Sequence, residues 1–160
     1  MEKLARRIGE ALAAKDQLLA TAESCTGGWI AEVVTSAAGS SGWFERGFVT
    51  YSNEAKQEAL GVRAETINRF GAVSEETARE MAEGALRASR ATVALSVTGI
   101  AGPGGGSPGK PVGTVCFAWA RKGKPAQSET RRFAGDREAV RRQSVMHALE
   151  GLLVRLDSAG

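Results

Sequence analysis

Histidine, tyrosine and cysteine are scarce in this chain of 160 residues, which holds one of each of the first two, His147 and Tyr51, and only Cys25 and Cys116. Two cysteines without paired spacing are too few for a disulfide scaffold, and with a single histidine they make a structural zinc cluster implausible. No apolar run approaches the roughly 18 residues of a membrane helix. The opening MEKLARRIGEALAAKDQLLATAE scatters charges where a signal peptide needs an unbroken apolar stretch. A soluble, cytoplasmic chain with no membrane partner is therefore expected. Charged residues at 24% and hydrophobic ones at 42% argue against disorder, collagen-like sequence and a coiled coil. At 16.7 kDa, one ordinary core is the starting expectation.

Charge is balanced overall but not locally. Lys and Arg total 21 against 18 Asp and Glu, a net of +3. Residues 1–80 carry 9 basic and 12 acidic side chains, whereas residues 81–160 carry 12 and 6. Eight of those 12 fall within residues 121–142. Such a cluster suits a phosphorylated small molecule, or is simply a solvated face. Trp119 and Phe133 are the only aromatics between positions 118 and 142, too few to interleave with the basic run as single-strand nucleic-acid grooves require. Nucleic acid is thus not an expected partner.

Periodicity sets the expected fold. Leu4, Ile8 and Leu12 recur at helical spacing, giving an amphipathic outer helix that ends near Lys15 and Asp16. LLATA (18–22) reads as a buried strand running through ESCTGG (23–28) into a helix, WIAEVVTSA. GFVTYS (47–52) is a second strand, after which Asn53 is the expected N-cap of a helix carrying Lys56 and Leu60. Ser74 opens a stronger helix whose Ala78, Met81, Ala82 and Ala85 follow the i, i+3, i+4, i+7 pattern. TVALSVT (92–98) and GTVCFAWA (113–120) are strands separated by a stretch with seven glycines and three prolines in residues 99–113. QSETRRF (127–133) pairs with the preceding strand through RKGKPA as an antiparallel hairpin. Asp136 then caps a final helix bearing Met146, Leu149, Leu153 and Leu156. The expected architecture is a three-layer α/β/α fold with a mixed, mostly parallel sheet of about five to six strands.

In open α/β sheets the binding crevice forms where strands run into helices at their carboxyl ends, here ESCTGG, YSNEAK and TGIAGPGGG. ESCTGG offers Ser24 as a hydroxyl nucleophile beside glycines that permit close backbone approach, ahead of unpaired helix amides. The alternative reading is that Ser24 or Thr26 merely caps the helix and the glycines only allow the bend. Lys56 falls near the third position of its helix, where the macrodipole disfavours added positive charge. Partial burial would lower its pKa further and let it accept a serine proton, so Ser24 and Lys56 compose a candidate Ser–Lys dyad. Tyr51 stands close enough in sequence for its hydroxyl to orient the lysine or relay a proton, or is a packing residue. Cys25 has no evident base and reads as a packed small residue. The Gly-rich loop fits neither the Walker A motif nor GxGxxG. Its ligand-contact candidates are Thr98, Gly99 and Gly102, with 104–106 as a flexible lid. Arg137 and Arg141 share a helix face and could clamp a phosphate, whereas Arg142 points elsewhere.

Taken in order and spacing, ESCTGG, VTYSNEAK, GAVSEETA, VTGIAGPGGG, KPVGTV and GDREAVR resemble the CinA C-terminal domain family, the nicotinamide-nucleotide amidohydrolases, over about residues 4–156. The resemblance implies one such domain over residues 1–160, in the stand-alone form without the additional N-terminal domain of many relatives. It implies hydrolysis of the carboxamide of nicotinamide mononucleotide to nicotinic acid mononucleotide and ammonia, without metal or organic cofactor, in a homo-oligomer. Ser24, Lys56 and Tyr51 match the family's serine, lysine and tyrosine. Thr26, Gly27, Gly28, Asn53, Thr98, Gly99, Gly102 and Arg137 match positions around its pocket, with Arg141 a second phosphate candidate. The competing expectation is a non-catalytic module that binds a nucleotide or a regulatory partner through the Gly-rich loop.

Overall fold

The computed structural model describes residues 1–158 of the chain. Six α-helices and five strands follow along the described residues: α1 (Glu2–Ala14), β1 (Leu19–Glu23), α2 (Trp29–Thr35), β2 (Phe44–Val49), α3 (Asn53–Leu60), α4 (Ala64–Phe70), α5 (Glu75–Arg87), β3 (Val93–Gly99), β4 (Thr114–Arg121), β5 (Gln127–Arg132) and α6 (Arg137–Ser158). The strands form one sheet in the order β2-β1-β3-β4-β5. β1 pairs in parallel with both β2 and β3, whereas β4 is antiparallel to β3 and to β5. Four strands thus run in one sense and β4 alone opposes them, the mixed sheet that the alternating pattern and the terminal hairpin predict.

The two faces of the sheet are built from side chains of different size. Leu19, Val93, Leu95, Val97, Val115, Phe117 and Trp119 project to one side and are buried with Ile8 and Leu12 of α1, Ile30 and Val34 of α2, and Leu149, Leu152 and Leu156 of α6. Each fully buried Leu or Phe contributes roughly 1.5–3 kcal/mol. The alternate positions, Ala20, Ala22, Ala94, Ser96, Cys116, Ala118 and Ala120, leave a shallow face on the other side. There α5 seats Ala78, Met81, Ala82 and Ala85, all fully buried. Close approach extends between helices: a Cβ at Gly84 of α5 would run into the carbonyl of Leu60 at the end of α3.

Capping follows sequence with one correction. Ser74 accepts from Thr77 N–H at 3.1 Å and Asp136 from Ala139 N–H at 2.9 Å, as their positions predict. The cap of α3 is Ser52, whose Oγ accepts from Ala55 N–H at 3.0 Å, and the expected cap Asn53 is the first residue inside the helix. Among the described residues no helix is long and apolar enough to cross a membrane.

Candidate active site

Ser24 is the first residue beyond the carboxyl end of β1, and the two parallel neighbours of that strand fix it there. Its N–H donates to the Val97 carbonyl of β3 at 3.0 Å, and one residue earlier the Glu23 carbonyl accepts from Thr50 N–H at 2.9 Å. Successive side chains leave a strand on opposite faces, so Glu23 turns toward α2 and Ser24 toward α3. Gly27 N–H closes the following turn on the Ser24 carbonyl at 3.0 Å. The turn then passes through Gly27 and Gly28 at φ of 60° and 101°, a left-handed course that favours glycine.

What caps α2 is neither Ser24 nor Thr26. The fully buried Glu23 carboxylate accepts from the Thr26 hydroxyl at 2.5 Å, Ile30 N–H at 2.9 Å and Ala31 N–H at 3.0 Å. A carboxylate at a helix start satisfies orphan amides and complements the dipole. The Ser24 hydroxyl is thereby free of any capping duty, and Thr26 serves the interior. Glu23 went unassigned in the sequence, although an acid directly before SCTGG at a helix start is the signal that could have found it.

Lys56 lies on the fourth position of α3 and is only 1% exposed. Its Nζ is 3.0 Å from Ser24 Oγ, 3.0 Å from the Thr50 carbonyl and 3.1 Å from the Tyr51 carbonyl. None of these partners is a carboxylate. Burial without a counter-charge lowers the lysine pKa below its usual 10.5. Nζ donates to all three oxygens, and the Ser24 hydroxyl is itself 3.5 Å from the Tyr51 carbonyl; loss of one proton leaves two N–H bonds for the carbonyls and a lone pair for the serine hydroxyl.

Cys25 adjoins the serine but differs in chemistry. Burial pushes its thiol up to about 12, an effect the Glu23 charge reinforces, while its own backbone amide, Arg141 and Lys56 act against it. A thiol so raised is protonated at neutral pH and a poor nucleophile. The negative charge that a Cys25 thiolate would lend to keep Lys56 protonated is accordingly absent there.

A pocket of about 170 Å³ opens over the pair, lined by Ser24, Cys25, Tyr51, Lys56, Ala72, Val73, Thr98, Gly99, Ala101 and Arg137. It therefore gathers six of the residues singled out in the sequence. Thr98 donates its hydroxyl to the Ala72 carbonyl at 2.9 Å and so holds the segment before α5 against the end of β3. Tyr51 touches the lysine through its main-chain carbonyl, not its phenol. That hydroxyl is 3.4 Å from Arg137 Nη2, and the ring is 63% exposed. Arg137 Nη1 also donates to the Gly102 carbonyl at 2.7 Å, which ties α6 to the Gly-rich loop at the rim.

The other candidates stand outside this lining. Thr26, Gly27 and Gly28 shape the turn, Gly102 presents its carbonyl to Arg137, and Asn53 is exposed at the start of α3. Arg141 directs its guanidinium at the carbonyls of Cys25 and Thr26. A larger groove of about 750 Å³ lies across Val73 and includes Arg69, Arg79, Lys110 and Arg132, but it holds neither Ser24 nor Lys56. His147, in the middle of α6, does not line this pocket; it is 3.0 Å from Glu129 and packed on Phe117. Among the described residues no three His, Cys, Asp or Glu side chains gather to hold a metal ion.

This arrangement of residues has relatives. The family model of the CinA C-terminal domain matches residues 1–156. The chain is 57% identical over 150 residues to the nicotinamide-nucleotide amidohydrolase PncC of Escherichia coli strain K12, covering 94% of this chain and 91% of that protein. It is 53% identical over 142 residues to a CinA-like protein of Akkermansia muciniphila, covering 89% of this chain but 34% of the longer relative. The crystal structure of the competence/damage inducible protein CihA from Agrobacterium tumefaciens superposes with a TM-score of 0.94 at 49% identity, over 98% of this chain and 95% of that one.

Proposed function

Because the chain belongs to the CinA C-terminal domain family, we propose that it hydrolyses the carboxamide of nicotinamide mononucleotide to nicotinic acid mononucleotide and ammonia, with Ser24 as nucleophile and Lys56 as its base. The observation that carries this reading is the 3.0 Å contact between Ser24 Oγ and a buried lysine with no carboxylate partner. The similarity to amidohydrolases named for nicotinamide nucleotides supplies the substrate class.

In the proposed course, neutral Lys56 takes the Ser24 hydroxyl proton as Oγ bonds to the carboxamide carbon. The Thr50 and Tyr51 carbonyls, already in contact with Nζ, stabilise the ammonium that forms. Charge developing on the carboxamide oxygen is met by the N–H groups of Cys25 and Thr26, the amides of this turn with no backbone acceptor among the described residues. Oxyanion donors of this kind are worth roughly 3–4 kcal/mol each. Lys56 then returns its proton to the amide nitrogen, the C–N bond breaks, and ammonia leaves an acyl-enzyme. Water attacks that ester with Lys56 again as base, freeing the carboxylate and restoring Ser24.

A pocket of about 170 Å³ is below the roughly 300–1,000 Å³ that encloses a drug-sized ligand, so it takes the pyridine carboxamide and leaves ribose and phosphate toward the rim. Arg137 is the cation on that rim and the proposed partner of the 5′-phosphate. Recycling of pyridine nucleotides is the role that such a reaction serves.

The test is ammonia and nicotinic acid mononucleotide release from nicotinamide mononucleotide by the purified protein, with a chelator present. Release of both products in equal amounts is expected. No release from folded protein would overturn the enzymatic reading in favour of a binding module, and thermal protection by the same nucleotide would then identify the ligand.

A further inference from the structure

Arg141 follows Arg137 by one turn of α6, yet it reaches a different target. Its Nε donates to the Cys25 carbonyl at 3.1 Å and its Nη2 to the Thr26 carbonyl at 3.3 Å, while Cζ lies 5.4 Å from the centre of the Trp29 ring. One guanidinium fork thus holds two successive carbonyls of the turn that carries Ser24, from an element more than a hundred residues away. The contact is also spatially close to Gly27, where a Cβ would come within 3.6 Å of Nη2.

The consequence lies in the amides that share those peptides. The Cys25 carbonyl belongs to the same planar unit as Thr26 N–H, and the Thr26 carbonyl to the same unit as Gly27 N–H. In a trans peptide the N–H points opposite to the C=O. A cation on the carbonyl side therefore orients both N–H groups away from itself and polarises both peptides, making each a stronger donor. Gly27 N–H is engaged with the Ser24 carbonyl and closes the turn. Among the described residues, the N–H groups of Cys25 and Thr26 donate to no carbonyl. Glu23 holds the same turn through the Thr26 hydroxyl and the first amides of α2.

We propose that Arg141 is a positioning residue for the reaction: it fixes the turn at residues 24–27 and strengthens the Thr26 amide as an oxyanion donor, and it does not bind the substrate phosphate. The inference rests on the Ser24–Lys56 reading above and adds a role for α6 in the chemical step.

The experiment compares wild type, Arg141→Lys and Arg141→Ala on nicotinamide mononucleotide and on nicotinamide riboside, with kcat and KM separated. Each is assayed with and without millimolar guanidinium chloride. Removing an oxyanion donor outright costs roughly 100- to 1000-fold in kcat, so loss of its alignment is expected to lower kcat about tenfold or more on both substrates, with KM within about twofold. Guanidinium is expected to restore part of kcat to Arg141→Ala. Lysine keeps the charge but cannot fork, so Arg141→Lys should show the same kcat loss even if the alanine variant fails to fold. A KM rise confined to the phosphorylated substrate, an unchanged kcat, or a folded alanine variant that guanidinium cannot rescue would each overturn the proposal. Wild type that releases no ammonia would instead refute the underlying Ser–Lys reading.

Discussion

Lys56 Nζ stands 3.0 Å from Ser24 Oγ across 32 residues of sequence, joining the end of β1 to the first turn of α3. The contact arises because β1 lies between two parallel strands and β2, one of them, delivers Thr50 and Tyr51 alongside Ser24 before α3 begins. The main chain at Thr50 and Tyr51 then supplies both carbonyls that steady the amine. Nucleophile and the base's supports come from two adjacent strand ends, and the base from the helix that follows the second.

Burial lowers the Lys56 pKa, so activity should follow its deprotonation. The expected kcat/KM rises with pH to a plateau, with a midpoint below the usual lysine value of 10.5. A pH–rate profile checks this, and a midpoint at or above 10.5 would contradict it.

The same shift has a stability consequence. Between the depressed folded-state pKa and 10.5 the unfolded chain binds more protons at Lys56 than the folded one does, so this group makes stability rise with pH across that window. Chemical denaturation of wild type and Lys56→Met at several pH values should show that rise in wild type and a flatter dependence in the variant.

Arg137, with one N–H on the Gly102 carbonyl and another facing the Tyr51 hydroxyl, is poised at the rim. Arg137→Ala is expected to raise KM for nicotinamide mononucleotide roughly five- to tenfold while changing KM for the riboside much less. Steady-state kinetics on both substrates decide it, and equal changes would remove the phosphate role.

Gly84 lets α5 lie against the end of α3, the helix that carries Lys56. Gly84→Ala places a methyl group against the Leu60 carbonyl and should cost about 1–3 kcal/mol, as overpacked sites do. Urea unfolding gives the magnitude. Unchanged stability would mean that the helices separate freely.

The features legible in the sequence were those set by local patterns. Alternation and helical spacing marked β1, β3, β4 and α5, and the turns at their ends marked Ser24, Lys56 and Thr98. Features that depend on distant partners were not legible. α4 begins at Arg63 without a side-chain cap of its own, and Glu80 of α5 holds that start through Arg63 N–H at 2.9 Å and the Thr66 hydroxyl at 2.5 Å. Arg141 has the spacing of a phosphate clamp beside Arg137, but only the packing of α6 against the turn after β1 directs it to two carbonyls. Tyr51 contributes through its main chain, which side-chain chemistry does not announce. The exchange of Asn53 for Ser52 as cap is a one-residue ambiguity between two good capping types.

The most direct test of the central claim is ammonia release from nicotinamide mononucleotide by Ser24→Ala, Lys56→Ala and Cys25→Ser, assayed beside wild type with folding verified by circular dichroism. The account predicts that the first two lose at least roughly a thousandfold in kcat, as serine hydrolases do without nucleophile or base, and that Cys25→Ser stays near wild type. Near-normal turnover by Ser24→Ala, or inactivity confined to Cys25→Ser, would contradict it.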